Sequence, residues 1–175
     1  YEDILERIPQ IEIDKHDTYL KSVLKFLNPQ AELTIAGSYR RKAKDSGDID
    51  VLLKGTPQLY KKFIDVLEEG GYLYETLAKG TKKYNGMCKL SGCLTFRRID
   101  IMITKPEEYP FAILYFTGSK DFNTQMRQHA LDKDLSMNEY SLKHSSDKSV
   151  VDHVFKTERD IFDYLEYPYV EPCKR

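Results

Sequence analysis

The chain has 175 residues, 41% hydrophobic and 31% charged, which suits one ordinary domain or two small lobes and is too apolar for a disordered tail. Its longest apolar run, Phe111 to Phe116, falls far short of the ~20 residues of a membrane span, and no basic-then-apolar leader opens the sequence. A net charge of −1 argues against a generally basic nucleic-acid binder, and a start at Tyr1 without methionine reads as a piece of something longer.

Leu20, Val23, Leu24 and Leu27 recur at helical spacing and predict a helix over 14–28. Residues 31–36 alternate as a strand, which Gly37-Ser38 breaks before the basic stretch Tyr39-Arg40-Arg41-Lys42. A second strand spans Asp48 to Lys54. Thr56 and Pro57 start a helix with the stripe Leu59, Phe63, Val66 and Leu67, and Gly70-Gly71 ends it. Three strands follow at 72–78, 83–90 and 94–104, the last two joined through Ser91-Gly92-Cys93. Composition changes at Pro106. Pro110 opens a short apolar helix that Gly118 stops, Ser119 caps another to about Lys133, and Leu135 to Leu142 reads as one strand. His144 to Lys148 is a polar turn, and Thr157-Glu158-Arg159-Asp160 opens a last helix with a capping-box pattern. The order predicts a larger α/β lobe to about residue 105 and a smaller α+β lobe after it.

Cys88, Cys93 and Cys173 cannot all pair and show no zinc spacing with the histidines, so they read as free thiols in a reducing compartment. Residues 79–105 carry seven basic side chains and one acidic, a segment that fits either a phosphate track or a solvated lysine face. Along the strand at 48–54, Asp48 and Asp50 share one face while Ile49, Val51 and Leu53 take the other. Two carboxylates so placed repel each other unless a cation sits between them, and such oxygens suit magnesium. Alone, the pair also fits an ordinary surface strand. Asp100, between Ile99 and Ile101, is costly to bury without a cation. If its strand lies beside the first, three carboxylates converge as in a two-metal site; the alternative is a salt bridge to Arg97 or Arg98. Gly37-Ser38 at a strand end, followed by Arg40 and Arg41, lets amides and guanidiniums approach an anion.

With Gly37-Ser38 and Gly47-Asp48-Ile49-Asp50 the chain resembles the nucleotidyltransferase superfamily. Arg97-Arg98-Ile99-Asp100-Ile101, Tyr115-Phe116-Thr117-Gly118-Ser119, Phe122-Asn123, Met126-Arg127 and Asn138-Glu139-Tyr140 narrow the likeness to the beta-like family X DNA polymerases. So do Asp160-Ile161-Phe162-Asp163-Tyr164 and Tyr169-Val170-Glu171-Pro172, and the resemblance covers essentially all of the chain. It implies an α+β fold: a palm, a mixed sheet with flanking helices, over 1–105, and a small α+β thumb, or fingers, over 106–175. It further implies a DNA-directed DNA polymerase that moves a deoxynucleotide from dNTP to a DNA primer 3′-hydroxyl, in short-gap filling during repair. Two magnesium ions would serve it, with manganese able to substitute.

By the same resemblance Asp48 and Asp50 bind both ions, while Asp100 binds the catalytic ion and helps deprotonate the primer hydroxyl. Gly37, Ser38, Arg41, Ser46 and Gly47 form the triphosphate site, and Tyr115, Phe116 and Gly118 line the deoxyribose pocket. Asn123 and Arg127 touch the incoming base and the template minor groove. Arg98 sits near the primer-end phosphate, and Lys82 and Lys83 near the DNA backbone. Phe122 and Met126 read as core, and Glu139 as a structural partner for an arginine. Expected partners are primer–template DNA and dNTP, with no membrane; the implied state is a monomer in the nucleus, with a viral enzyme acting in cytoplasm as the alternative. Lys120 and Met102 depart from the family, which carries an acidic residue and an arginine there. The family's lyase domain and helix-hairpin-helix clamps have no counterpart in these residues, so no lyase activity and a weakened hold on DNA are expected. Competing functions are untemplated or RNA-directed nucleotidyl transfer and a non-catalytic DNA-binding module; the intact Asp48, Asp50 and Asp100 weigh against the last.

Overall fold

The computed structural model describes residues 6–175. The first five residues of the expected larger lobe lie outside the described residues. Helix α1 (Gln10–Leu27) follows a two-residue strand, β1 (Ile8–Pro9), and starts earlier than its apolar spacing predicts. Its buried stripe is Ile13, His16, Leu20 and Leu24, so a histidine interrupts the pattern one turn after Ile13. That histidine is satisfied: its Nδ1 lies 2.7 Å from the Tyr72 hydroxyl and its Nε2 3.3 Å from Glu12. Strand β2 (Glu32–Ile35) leads into a single helical turn, α2 (Gly37–Arg40), then β3 (Asp45–Ser46), which pairs with β1. Strand β4 (Ile49–Lys54) precedes α3 (Pro57–Glu69), where Thr56 caps the Leu59 amide as expected.

Strands β5 (Leu73–Lys79), β6 (Lys83–Cys88) and β7 (Arg97–Thr104) complete a five-stranded sheet in the order β2-β4-β7-β6-β5. Only the β4–β7 pairing is parallel. Alternation sends Ile49, Val51 and Leu53 from β4, and Ile99 and Ile101 from β7, into one core with Leu20, Leu24, Phe63 and Leu67 of α1 and α3. Each such aliphatic side chain contributes about 1.5–3 kcal/mol by leaving water. Leu52 points to the opposite face and packs with Tyr109 and Ala112 of α4 (Tyr109–Thr117). The sheet face that α4 leaves open carries the polar residues of β4, β7 and β6.

The rest of the chain builds a second core from Phe111, Leu114, Phe122, Met126, Ala130, Leu135, Leu142, Ile161 and Phe162. Its elements are α4, α5 (Lys120–Asp132), β8 (Leu135–Met137), β9 (Leu142–His144) and α6 (Glu158–Tyr164). Phe122 and Met126 are core, as their spacing predicts. Residues 135–142, expected as one strand, instead form the start of a hairpin. Asn138 Oδ1 accepts from the amides of Tyr140 and Ser141, an Asx turn that reverses the chain and lets β8 pair with β9. Besides the apolar contact of Leu52 with α4, charge joins the two parts: Arg40 donates to Glu158 at 2.7 and 3.0 Å, and Arg175 donates to the same carboxylate at 2.7 Å. The cysteines are free, as expected, with Cys88 buried. Among the described residues no helix is long and apolar enough to cross a membrane.

Candidate functional site

The parallel register sets Asp50 opposite Asp100, and Asp48 stands just before β4. One oxygen from each of Asp48, Asp50 and Asp100 lies within 4.8 Å of the others, and all three residues are half-buried. The neighbouring strands required for convergence are therefore present. Asp100 makes neither of the alternative salt bridges. Arg97 turns to the other sheet face, where its Nε and Nη2 both donate to Glu12 at 2.7 Å, and Asp100 Oδ1 instead accepts from Asn85 Nδ2 at 2.6 Å. Arg98 is exposed on the same face as Asp100.

Burial pushes the Asp50 carboxyl up to about 7, reinforced by the charges of Asp48 and Asp100 and opposed by the Lys83 ammonium. Burial likewise raises Asp100, with Lys83 pulling it down and Asp48 adding to the rise. Burial is the larger cause in both, with mutual repulsion among the carboxylates adding to it. Three oxygen donors of this kind fit a hard divalent cation, which would offset that repulsion.

Next to the carboxylates the chain turns at Gly37, whose φ of 67° favours glycine and whose missing side chain matters: a Cβ there would lie 2.9 Å from Asp50 Oδ2. Ala36 N donates to the Asp50 carbonyl at 2.8 Å, tying the turn to β4. Ser38 and Ser46 share a hydroxyl hydrogen bond of 2.6 Å, and Gly47 follows on the exposed surface. Gly37, Ser38, Ser46 and Gly47 therefore surround one turn beside Asp50. Arg41 reaches from that turn to the second lobe and donates to the Thr117 carbonyl at 2.6 Å. Gly118 leaves room for it, since a Cβ there would lie 3.2 Å from Arg41 Nη1.

The sugar- and base-pocket candidates separate into two groups. Tyr115, Asn123 and Arg127 line a small cavity with Phe111, Leu114, Met137 and Asn138, and Asn123 Nδ2 donates to the Tyr115 carbonyl at 2.8 Å. Phe116 packs edge-on to Tyr115 but lines a different cleft, with Lys82, Lys83, Met102 and Glu139. Glu139 has no arginine within ion-pair distance among the described residues, so its expected role as an arginine's partner is not what the structure holds; it faces this cleft instead. Lys120 is exposed at the start of α5, and Met102 stands opposite Lys83 in the β6–β7 register.

Sequence reasoning missed Asn85, and it read Arg40 as a donor to an anion where the structure pairs it with Glu158. Asn85 belongs to no motif, and its place beside Asp100 depends on a register that the irregular connection between β6 and β7 hides. Arg40 sits in the basic stretch, but its partner Glu158 lies 118 residues away.

Residues 7–106 match the family model described as DNA polymerase beta palm, and residues 112–175 the model described as DNA polymerase beta thumb. The chain is 32% identical over 194 aligned residues to DNA polymerase lambda of Rattus norvegicus, covering all of this chain and 34% of that protein. It is 28% identical to DNA polymerase lambda of Arabidopsis thaliana, again over all of the chain and 37% of that protein. To DNA nucleotidylexotransferase of Xenopus laevis it is 24% identical, over all of the chain and 42% of that protein. The chain thus spans well under half the length of these relatives.

Proposed function

The chain belongs to the family X DNA polymerases, and on that premise we propose that it transfers a deoxynucleotide from dNTP to the 3′-hydroxyl of a DNA primer, in templated short-gap filling. The supporting observation is the convergence of Asp48, Asp50 and Asp100 across two paired strands. In this reading residues 1–105 act as palm and 106–175 as thumb, in keeping with the separate cores and the two family models.

Asp48 and Asp50 would hold two magnesium ions, for which manganese could substitute, and Asp100 would hold the catalytic one. When bound, the ions supply Lewis acidity toward the attacking and leaving oxygens. The chain's own residues do the rest. Asp100 accepts the proton that leaves the primer hydroxyl. The turn at Gly37, Ser38, Ser46 and Gly47, with Arg41, grips the triphosphate through amides, hydroxyls and a forked cation. Tyr115, Phe116 and Gly118 bound the sugar, Asn123 and Arg127 meet the base pair, and Lys82, Lys83 and Arg98 meet DNA phosphates. Rate enhancement here comes mainly from positioning and charge stabilisation.

The test is primer extension on gapped DNA, with and without magnesium and with the template omitted, using the wild type and Asp100→Ala. Extension by the wild type should require magnesium and template. Asp100→Ala should abolish extension yet retain dNTP binding, because Asp48 and Asp50 still hold the nucleotide-bound ion. Wild-type turnover by Asp100→Ala would exclude the proposed triad.

A further inference from the structure

Strand β6 alternates Lys83, Asn85 and Met87 toward the face that carries the carboxylates, while Tyr84, Gly86 and Cys88 are buried. Its antiparallel register places Asn85 opposite Asp100, and the parallel register on the other side of β7 places Asp100 opposite Asp50. One row, Asn85, Asp100 and Asp50, therefore crosses three adjacent strands. Within it the Asn85 amide donates to Asp100 Oδ1 at 2.6 Å, between two half-buried side chains.

We propose that Asn85 is a positioning residue for Asp100, holding its carboxylate in the orientation that the reaction needs, a role that rests on the nucleotidyl transfer proposed above. An ionised carboxylate only accepts hydrogen bonds, so the amide must present its NH2 group. With Oδ1 anchored, the carboxylate keeps one rotamer and its other oxygen is left for the cation and the primer hydroxyl. A neutral donor suits this task. A lysine or arginine at position 85 would compete with the cation for the carboxylate, and an acid would add a fourth negative charge. A purely structural tie is a poorer account, because β6 and β7 already pair from Lys83 to Cys88 and do not depend on one more hydrogen bond. Groups that hold a metal ligand from behind in this way are commonly worth about 10–100-fold in metal affinity or activity.

Asn85→Leu removes the donor at similar volume, and Asn85→Asp keeps the shape but replaces the donor with an acceptor. Both are measured by single-turnover incorporation on gapped DNA, by dNTP affinity and by thermal melting. Manganese binding is followed by electron paramagnetic resonance with dNTP and a dideoxy-terminated primer, so that no turnover occurs. Both variants should lose maximal rate by about 10–100-fold, more for Asn85→Asp, and should bind the Asp100-linked manganese about tenfold more weakly. Affinity for dNTP should stay unchanged. Wild-type rate and manganese affinity in the variants would overturn the role, as would a parallel loss of rate, dNTP affinity and melting temperature. Asp100→Ala is run alongside. Wild-type turnover by that variant would exclude the triad on which the role rests, and no incorporation by the wild type would sink the polymerase reading itself, whereas an inactive Asp100→Ala with a fully active Asn85→Leu would sink the positioning role alone.

Discussion

Gly37 shows how narrow the tolerance around the carboxylates is. A Cβ at that position would sit 2.9 Å from Asp50 Oδ2, on a backbone at φ 67° that other residues adopt only with strain. Gly37→Ala must therefore displace either the turn or the Asp50 carboxylate, and a shift of about 1 Å in a catalytic group costs on the order of 10²-fold in rate. A loss of that size in primer extension, with magnesium-dependent dNTP binding also weakened, is the expected outcome. Arg127 belongs to a different class: exposed on α5, it lines the cavity shared by Tyr115 and Asn123. Arg127→Ala should lower kcat/KM for the correct nucleotide and the discrimination against wrong ones together. Wild-type kinetics for both would remove Arg127 from the site. The aspartates were legible because period-two alternation fixes a shared face without any tertiary knowledge. Asn85 was not, because nothing local in Lys83-Tyr84-Asn85-Gly86 announces which residue on the next strand it will face.

At the scale of elements, helices with chemical punctuation were read well. Thr56, Ser119 and Thr157 each accept from an amide three residues on, where a cap should. The first turn of α1 was missed because His16 stands in its apolar stripe, and the hairpin at 135–144 because Asn138 reverses the chain without a glycine. That same His16 ties α1 to the sheet and makes the fold acid-sensitive. Burial holds its imidazole below its usual range; the hydrogen bond and charge of Glu12 oppose this, and the Arg97 charge adds to the depression, with Tyr72 and Cys88 facing the ring. The folded state thus favours neutral His16, so its contribution is full above pH 6.5 and is lost as pH falls from there toward the lower folded value. Glu158 of α6 adds a second step. Burial works to raise it, but hydrogen bonds from Arg40 and Arg175 outweigh burial and hold it low, so its contribution begins to fail only below about pH 4.3. Asp50, raised to about 7, gains stability as pH falls over the same range, so the His16 step is read in denaturant melts across pH as the difference between wild type and His16→Gln. Wild type should lose stability relative to His16→Gln as pH falls below 6.5, and both should lose the Glu158 contribution below about 4.3. Profiles of wild type and His16→Gln that run parallel from pH 7 to 5 would contradict the burial of a neutral imidazole.

For the molecule as a whole, the charge of residues 79–105 divides once the fold is known. Arg97 is spent inward on Glu12, Lys79 pairs with Glu68, and Lys89 lies 4.7 Å from the centre of the Phe96 ring, at the far end of β6 from Lys83. Lys82, Lys83, Arg98 and Lys105 remain, all exposed and none in an ion pair among the described residues; the first three are the candidate DNA contacts, and Lys83 and Arg98 act on the Asp100 carboxyl. The sequence alone offered both a phosphate track and a solvated face, and the contacts of Arg97, Lys79 and Lys89 leave those three out of the first. Each neutralised phosphate adds about −0.9 to the slope of log affinity against log salt. Three contacts predict a slope of roughly −3 and an affinity in the non-specific range of about 10⁻⁴–10⁻⁶ M at physiological salt. Removing Lys82 and Lys83 together should flatten the slope to about −1 and weaken binding evenly across DNA sequences. Because dNTP contacts use other residues, extension by this chain should be limited by DNA capture and should recover as salt is lowered or primer is raised. Fluorescence anisotropy titrations over a salt series measure the slope directly. Nanomolar, salt-insensitive binding would mean that DNA is held by a surface other than Lys82, Lys83 and Arg98.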